Sequence, residues 1–424
     1  MSPFYDALET RDPAEREAAL MAALSRCVAQ ARQATPALAQ WLQGVDATGL
    51  NSRAALARLP VLRKSDLLER QRRPCAPDAW HDPFGGFSTI GWRGLAAATG
   101  ARRVFQSPGP IYEPQGQGTD YWRMARALWA AGFRAGDLVH CSFSFHLTPA
   151  GAMVENAAHA LGCTVFPGGV GNTELQLRAI ADLRPQGYVG TPGFLKVLVE
   201  QAAHSGVAIP SLARALVSGE AFPPSLHDWL AERGIQALQC YATADLGLIA
   251  YETPARQGLV LDEGVIVEIV RPGTGEPVPD GEVGEVLVTV LNPDYPLIRF
   301  GTGDLSAVLP GPCPSGRTHT RIKGWMGRAD QTTKVRGMFV HAAQVAEVVA
   351  RHPEVSRARL VVSGEMTDDH LLLRAEVQDA PEGLATRLAE AVRDITRLRS
   401  EVELVPPGTL PNDGRVIEDA RTYR

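Results

Sequence analysis

LIRFGTGDLSAVLPGPCPSGRTHTRIKGWMGRADQTTKVRGMFV, residues 297–340, reads as two halves of a site joined by a pivot. In the first half, the apolar, strand-like run 296–300 leads into a glycine-opened turn, Gly301-Thr302-Gly303-Asp304. Glycine permits the tight reversal, so the pattern sets a carboxylate at the exit of the strand. A carboxylate so placed suits a ribose diol. The second half holds Gly327-Arg328-Ala329-Asp330, then Lys334 and Gly337, a basic and flexible segment. It stands between a large N-terminal portion, 1–326, and a C-terminal portion, 327–424, of small-domain size, and a hinge is expected there.

Working outward, a chain of 424 residues is too long for one compact core, and two or three structural units are expected. Hydrophobic residues at 45% and charged residues at 21% are the proportions of a soluble globular protein. A net charge of -5 leaves no basic footprint for nucleic acid or an anionic membrane, and neither is expected as a partner. The N-terminus, MSPFYDALETRDPAERE, is acidic and polar, unlike a signal peptide, and no apolar run reaches the length of a membrane span. A cytoplasmic location is expected. The six cysteines, at 27, 75, 141, 163, 240 and 313, show no CxxC pair and read as free thiols. Cys313 and His319 flank a Pro/Gly-rich loop, but two further ligands for a zinc ion are not evident.

Apolar spacing predicts a helix over 13–42, with Asp12 as its N-cap ahead of Pro13. Shorter helical pieces follow at 51–56 and from 64, then a loop rich in Gly, Pro and Trp at 73–100. From Arg102 onward, short apolar runs alternate with amphipathic helices. Strands are expected at 138–143, 164–166, 187–189, 215–217 and 237–240, and helices at 120–132, 150–161, 173–183 and 194–205. That alternation indicates an α/β fold with a mostly parallel sheet covered by helices on both faces. Beyond Leu248 the runs 265–270 and 283–290, separated by PGTGEPVPDGE, read as antiparallel strands. After the hinge, strands at 338–340, 357–362, 370–377 and 401–405 and helices at 343–351 and 384–398 give a β-α-β-β-α-β order. A small ferredoxin-like α+β domain is expected.

At TGD and GRAD, and over nearly the whole chain, the sequence resembles the adenylate-forming enzymes, within them the phenylacetate-CoA ligase-like branch. The resemblance implies that Asp304 holds the ribose of the nucleotide, that Arg328 assists it, and that the C-terminal domain swings about Asp330. Ser218-Gly219-Glu220 matches the family's adenine-side turn, and Tyr241-Ala242-Thr243-Ala244-Asp245-Leu246-Gly247 matches its YGxTExG motif. Tyr241 can stack on a purine, and Asp245 stands where the family's glutamate holds Mg²⁺.

Two departures bear on the chemistry. The family's phosphate loop, SSGTTGKP, corresponds to Ser107-Pro108-Gly109-Pro110-Ile111-Tyr112-Glu113-Pro114. Proline lacks an N–H, and Glu113 places a negative charge where phosphate is expected, leaving Ser107, Gly109 and the Tyr112 hydroxyl as donors. The family's near-terminal catalytic lysine corresponds to Arg415 in Leu410-Pro411-Asn412-Asp413-Gly414-Arg415-Val416. Arginine keeps the charge in a planar fork rather than a point.

An acyl pocket is expected after two of the parallel strands, from Phe143, Phe145 and His146 and from Gly168 and Gly169, since ligands favour those carboxyl ends. A helix N-cap near Asn172-Thr173 accounts equally for the second segment. Lys334 and Gly337 are expected near coenzyme A. The leading reading is an ATP-dependent ligase of an aryl or arylacetic acid with coenzyme A, using ATP/AMP and Mg²⁺. The alternatives are an ATP-independent acyltransferase from CoA to an acyl carrier protein thiol, and an inactive binding homologue. A homodimer is compatible with each.

Overall fold

A computed structural model describes residues 2–73, 82–92, 100–329, 333–336, 338–340, 342–365, 368–411 and 415–421. The chain divides into two compact units, Met1–Met326 and Gly327–Arg424. Asp330 and Gly337, the expected hinge and coenzyme A residues, lie outside the described residues.

The first unit opens with helices α1 (Pro13–Ala34), α2 (Pro36–Trp41) and α3 (Arg53–Leu56), strand β1 (Leu62–Arg63) and helix α4 (Lys64–Gln71). Asp12 caps α1 by accepting from the N–H groups of Ala14 and Glu15. The single helix expected over 13–42 is broken at Thr35. Pro36 has no N–H to continue the ladder, and it holds Thr35 in an extended conformation. A hairpin follows, β2 (Arg103–Ser107) and β3 (Ile111–Gln115).

The α/β series is α5 (Ala125–Ala130), β4 (Leu138–Cys141), α6 (Ala150–Ala160), β5 (Thr164–Pro167), α7 (Thr173–Leu183), β6 (Gly187–Gly190), α8 (Pro192–Ser205), β7 (Arg214–Val217), α9 (Pro224–Ala231) and β8 (Gln236–Thr243). Strands β5, β4, β6, β7 and β8 pair in parallel in that spatial order. The helix expected over 120–132 is confined to α5. Asp120 and Arg123 both adopt positive φ, with the Asp120 carboxylate accepting from the Ala125 N–H and Arg123 bound to Asp262 at 2.7 Å.

Antiparallel strands β9 (Gly247–Glu252) and β10 (Leu259–Leu261) extend the parallel sheet. Strands β11 (Val265–Val270), β12 (Gly284–Val290) and β13 (Phe300–Ser306) form a second sheet, with β1 on its edge. Strands β14 (Val308–Leu309) and β15 (Arg321–Ile322) complete the nine-stranded sheet.

Here the structure corrects the sequence reading. Residues 296–299 are not a strand, and Gly301-Thr302-Gly303-Asp304 is not a turn beyond one. The TGD segment is inside β13, where the register jumps from Leu287↔Gly301 to Glu285↔Leu305. Gly303, at φ 73°, lets the extra residues bulge, and bulges of this kind re-aim a side chain. Arg299 holds a left-handed φ of 48° because its buried guanidinium pairs with Glu268 and donates to the carbonyls of Ala57 and Gly275.

The apolar face of α1 packs with α2, α3 and the second sheet around Leu24, Leu56, Val267 and Phe300. A separate core lies between α5, α6 and the nine-stranded sheet. Among the described residues no helix is long and apolar enough to cross a membrane.

The second unit contains β16 (Thr333–Val335), β17 (Met338–Val340), α10 (Ala342–Ala350), β18 (Val355–Glu365), β19 (Asp368–Val377), α11 (Leu384–Thr396), β20 (Glu401–Val405) and β21 (Ile417–Asp419). Its four-stranded sheet has the order β20-β19-β18-β21, with both helices packed on one core. The strand expected at 338–340 pairs with β16 in a separate hairpin, and the chain's last strand takes the sheet edge beside β18.

Candidate active site

The carboxyl end of β8 and the bulge of β13 meet at one hydrogen bond. The Tyr241 hydroxyl donates to Asp304 Oδ2 at 2.7 Å. The other oxygen, Oδ1, accepts from the indole N–H of Trp325 at 3.1 Å. Asp304 is buried, so its charge depends on such donors. Beside Tyr241, the Ser218 hydroxyl donates to the Cys240 carbonyl at 2.8 Å and Gly219 turns the chain at φ 82°. Glu220 accepts from the Gly193 N–H at the start of α8. Ser218, Gly219, Glu220, Tyr241 and Ala242 therefore lie together at the carboxyl ends of β7 and β8, where α/β sheets place ligands.

The candidate phosphate loop is the β2–β3 hairpin, with Ser107 paired to Ile111 across the turn. Strand alternation separates Tyr112 from Glu113. The Tyr112 hydroxyl accepts from Gln106 Nε2 at 2.9 Å, while Glu113 points inward, bonded by the Ser107 hydroxyl. Glu113 also abuts Asp245. Burial pushes the Glu113 carboxyl well above its ordinary value, and the neighbouring Asp245 adds to the shift, so Glu113 holds its proton more readily than a free carboxyl. The repulsive charge that the sequence placed on the loop is thus muted.

What faces the hairpin instead is a cation that sequence reasoning missed. Lys64, the first residue of α4, places Nζ 3.3 Å from Asp245 Oδ2 and 3.5 Å from the Ser107 hydroxyl. Its side chain remains 42% exposed. At the far end of α4, Arg72 donates to the Gly109 carbonyl at 3.0 Å. Neither residue stands in a recognisable motif. The only sequence signal was a lysine opening the helix next in order before the loop.

Phe143 and Phe145 are half-buried against the core after β4, and His146 is exposed. Gly168 is required by packing, because a Cβ there would come within 2.8 Å of Gln176 Oε1 and 2.9 Å of His140 Nε2. Those two atoms are hydrogen-bonded to each other at 2.7 Å, and Gln176 also donates to the carbonyls of Gly169 and Gly171. Asn172 occupies the N-cap position of α7 without a side-chain cap bond, so Gln176, from inside the helix, is what holds this loop. His140 is fully buried, and burial lowers its pKa, leaving a neutral ring.

Arg328, Lys334 and Arg415 belong to the second unit. Lys334 lies in β16 opposite Phe339. Arg415 is exposed, and its carbonyl accepts from Arg359 Nε at 3.1 Å. Cys313 contacts the Ser315 hydroxyl, and burial among arginines drives the His319 ring down to about 3, a setting that repels a metal cation.

The AMP-binding enzyme family matches residues 119–290, which hold the α/β series and the Tyr241 motif. The phenylacetate-coenzyme A ligase of Thermus thermophilus is 30% identical over 428 residues, 92% of each chain. The chain belongs to the phenylacetate-coenzyme A ligase family. The family's Pseudomonas putida member is 31% identical over 68% of this chain and 69% of its own. Among solved structures, 2-hydroxyisobutyryl-CoA ligase in complex with 2-HIB-AMP and CoA, in the thioesterification state, superposes with a TM-score of 0.81. That match is at 25% identity and covers all of this chain and 93% of the other.

Proposed function

We propose that this family member is an ATP-dependent ligase that joins a carboxylic acid to coenzyme A through an acyl-adenylate. In the first step the acid's carboxylate attacks the α-phosphorus of ATP, the bond to the bridging oxygen breaks, and pyrophosphate leaves. In the second the CoA thiol adds at the acyl carbon, loses its proton, and AMP departs. The observation that carries this reading is the pairing of Tyr241 with Asp304 beside the Ser218 turn: an aromatic face for the purine and a buried carboxylate for the ribose diol. Holding the nucleoside this way aligns the reacting groups, which is where such an enzyme gains most of its rate.

The Lys64 ammonium, adjoining Ser107, serves as the loop's phosphate-side cation in place of a lysine within the loop. Asp245, a buried carboxylate beside Glu113 and Lys64, is the candidate single carboxylate ligand for Mg²⁺ shared with nucleotide phosphates. Magnesium bound there would offset phosphate charge. Arg415 acts on the carboxylate and α-phosphate as a fork, with Arg328 assisting at the ribose. The C-terminal unit, 327–424, swings about Asp330 between the two steps, bringing Lys334 and Gly337 to coenzyme A. Phe143, Phe145 and His146 line the site of an aryl or arylacetic acid. The five buried free cysteines among the described residues fit a reducing, cytoplasmic setting.

A second reading is supported by the hairpin itself. Pro108, Pro110 and Pro114 offer no N–H to a triphosphate, which suits transfer of an acyl group from CoA to a carrier-protein thiol without ATP. One assay separates them. A panel of aromatic acids with ATP, Mg²⁺ and CoA is expected to yield AMP and pyrophosphate. Absence of both products, with acyl-CoA consumed in the absence of ATP, would establish the transferase instead.

A further inference from the structure

We infer that Asp369 is a positioning residue for the thioester step, because it holds the turn at Arg336 in the shape that meets coenzyme A. The inference rests on the reading that the β16–β17 hairpin, with Lys334 and Gly337, is brought to coenzyme A in that step.

Val335 pairs with Met338, so Arg336 opens a two-residue connection between the strands. Both common turns of this length need a left-handed backbone at their first position, which favours Asn, Asp or Gly. Arg336 holds φ 48°, a conformation that is costly for a residue bearing a Cβ. Asp369, a buried residue near the start of β19, offsets that cost. Its Oδ2 accepts from the Arg336 N–H at 2.9 Å, and its carbonyl accepts from the Arg336 guanidinium at 2.6 Å. The other carboxylate oxygen, Oδ1, pairs with Arg421 at 3.1 Å. Arg421 also donates to Asp419 and to the Thr333 hydroxyl, which itself donates to Asp419 at 2.8 Å. The hairpin is therefore tied at two points, at Thr333 to β21 and at Arg336 to β19. Without Asp369 the Arg336 backbone relaxes toward negative φ and the turn moves, while Arg421 keeps Asp419 as its counter-charge.

The test separates the two half-reactions in the full-length protein. Asp369→Ala is expected to lower kcat/KM for CoA in acyl-CoA formation about tenfold, the scale of one left-handed residue losing its support. Exchange of pyrophosphate into ATP, with phenylacetate as the first probe acid, is expected to stay within about twofold of the wild type, because the turn takes no part in adenylation under that reading. Arg336→Asn, whose side chain tolerates the left-handed backbone, is expected to restore the CoA step when combined with Asp369→Ala. Equal losses in both half-reactions would mark Asp369 as a general support of the C-terminal unit and overturn the inference. So would an unchanged CoA step in Asp369→Ala, or a double variant as slow as the single one. A wild-type protein inert in both assays with every acid of the aromatic panel defeats the ligase reading itself, and this inference with it.

Discussion

The Tyr241 hydroxyl and Asp304 Oδ2, 2.7 Å apart, tie together strands of two different sheets and residues 63 positions apart in the chain. The bond fixes the carboxylate at a seam rather than within one sheet. Removing the hydroxyl with Tyr241→Phe leaves the ring and frees the carboxylate to turn. We expect nucleotide affinity to fall about tenfold, the usual scale of one charge-assisted bond. Asp304→Ala removes the ribose anchor and is expected to abolish pyrophosphate exchange. Full exchange activity in Asp304→Ala would exclude that placement of the ribose.

Lys64 supplies the positive charge beside a loop that has none. Lys64→Met is expected to raise the KM for ATP by about tenfold or more, with Lys64→Arg recovering part of the loss, since a fork replaces a point charge imperfectly. Steady-state kinetics in ATP at saturating acid make the comparison. An unchanged KM in Lys64→Met would move phosphate recognition elsewhere.

The raised pKa of Glu113 has a definite sign for stability. A carboxyl held above its unfolded value of 4.5 stabilises the fold fully below that pH, and loses the contribution as pH rises through its folded value. Glu113→Gln mimics the protonated acid. Its melting temperature is expected to match the wild type's below about pH 4.5 and to exceed it increasingly as the pH rises above that value. Thermal melts from pH 5 to 9 would reveal a parallel decline in both proteins if Glu113 were ionised throughout.

His319 works in the opposite direction. Burial, with Arg16, Arg53, Arg11 and Arg126 around it, lowers its pKa from 6.5 to about 3. The folded state thus binds fewer protons than the unfolded one between those values. Its stabilisation is complete above 6.5 and declines as the pH falls toward 3. His319→Gln keeps a polar neutral side chain and is expected to flatten this acid limb. Denaturant unfolding at pH 7, 5.5 and 4.5 measures it, and identical acid slopes for both proteins would remove His319 as the cause.

Much of the architecture was legible in the chain alone, because it depends on periodicity and on local stops. Apolar spacing marked the parallel strands and their helices, and Asp12-Pro13 marked the start of α1. The TGD and Tyr241 motifs named two residues that the structure brings into contact. What the chain could not reveal were relationships set by distant backbone. The bulge that places Asp304 within β13 depends on the register of β12, and the truncation of α5 depends on Arg123 reaching Asp262. The same applies to charge: Glu113 reads as repulsive in sequence, yet burial beside Asp245 mutes it, while Lys64 arrives from a helix more than forty residues earlier. Local propensity and hydrophobic pattern are properties of a window of sequence, and these determined the elements and their order. Burial, register and the retention of a proton by a buried acid are properties of neighbours in space, and these only the tertiary structure decided.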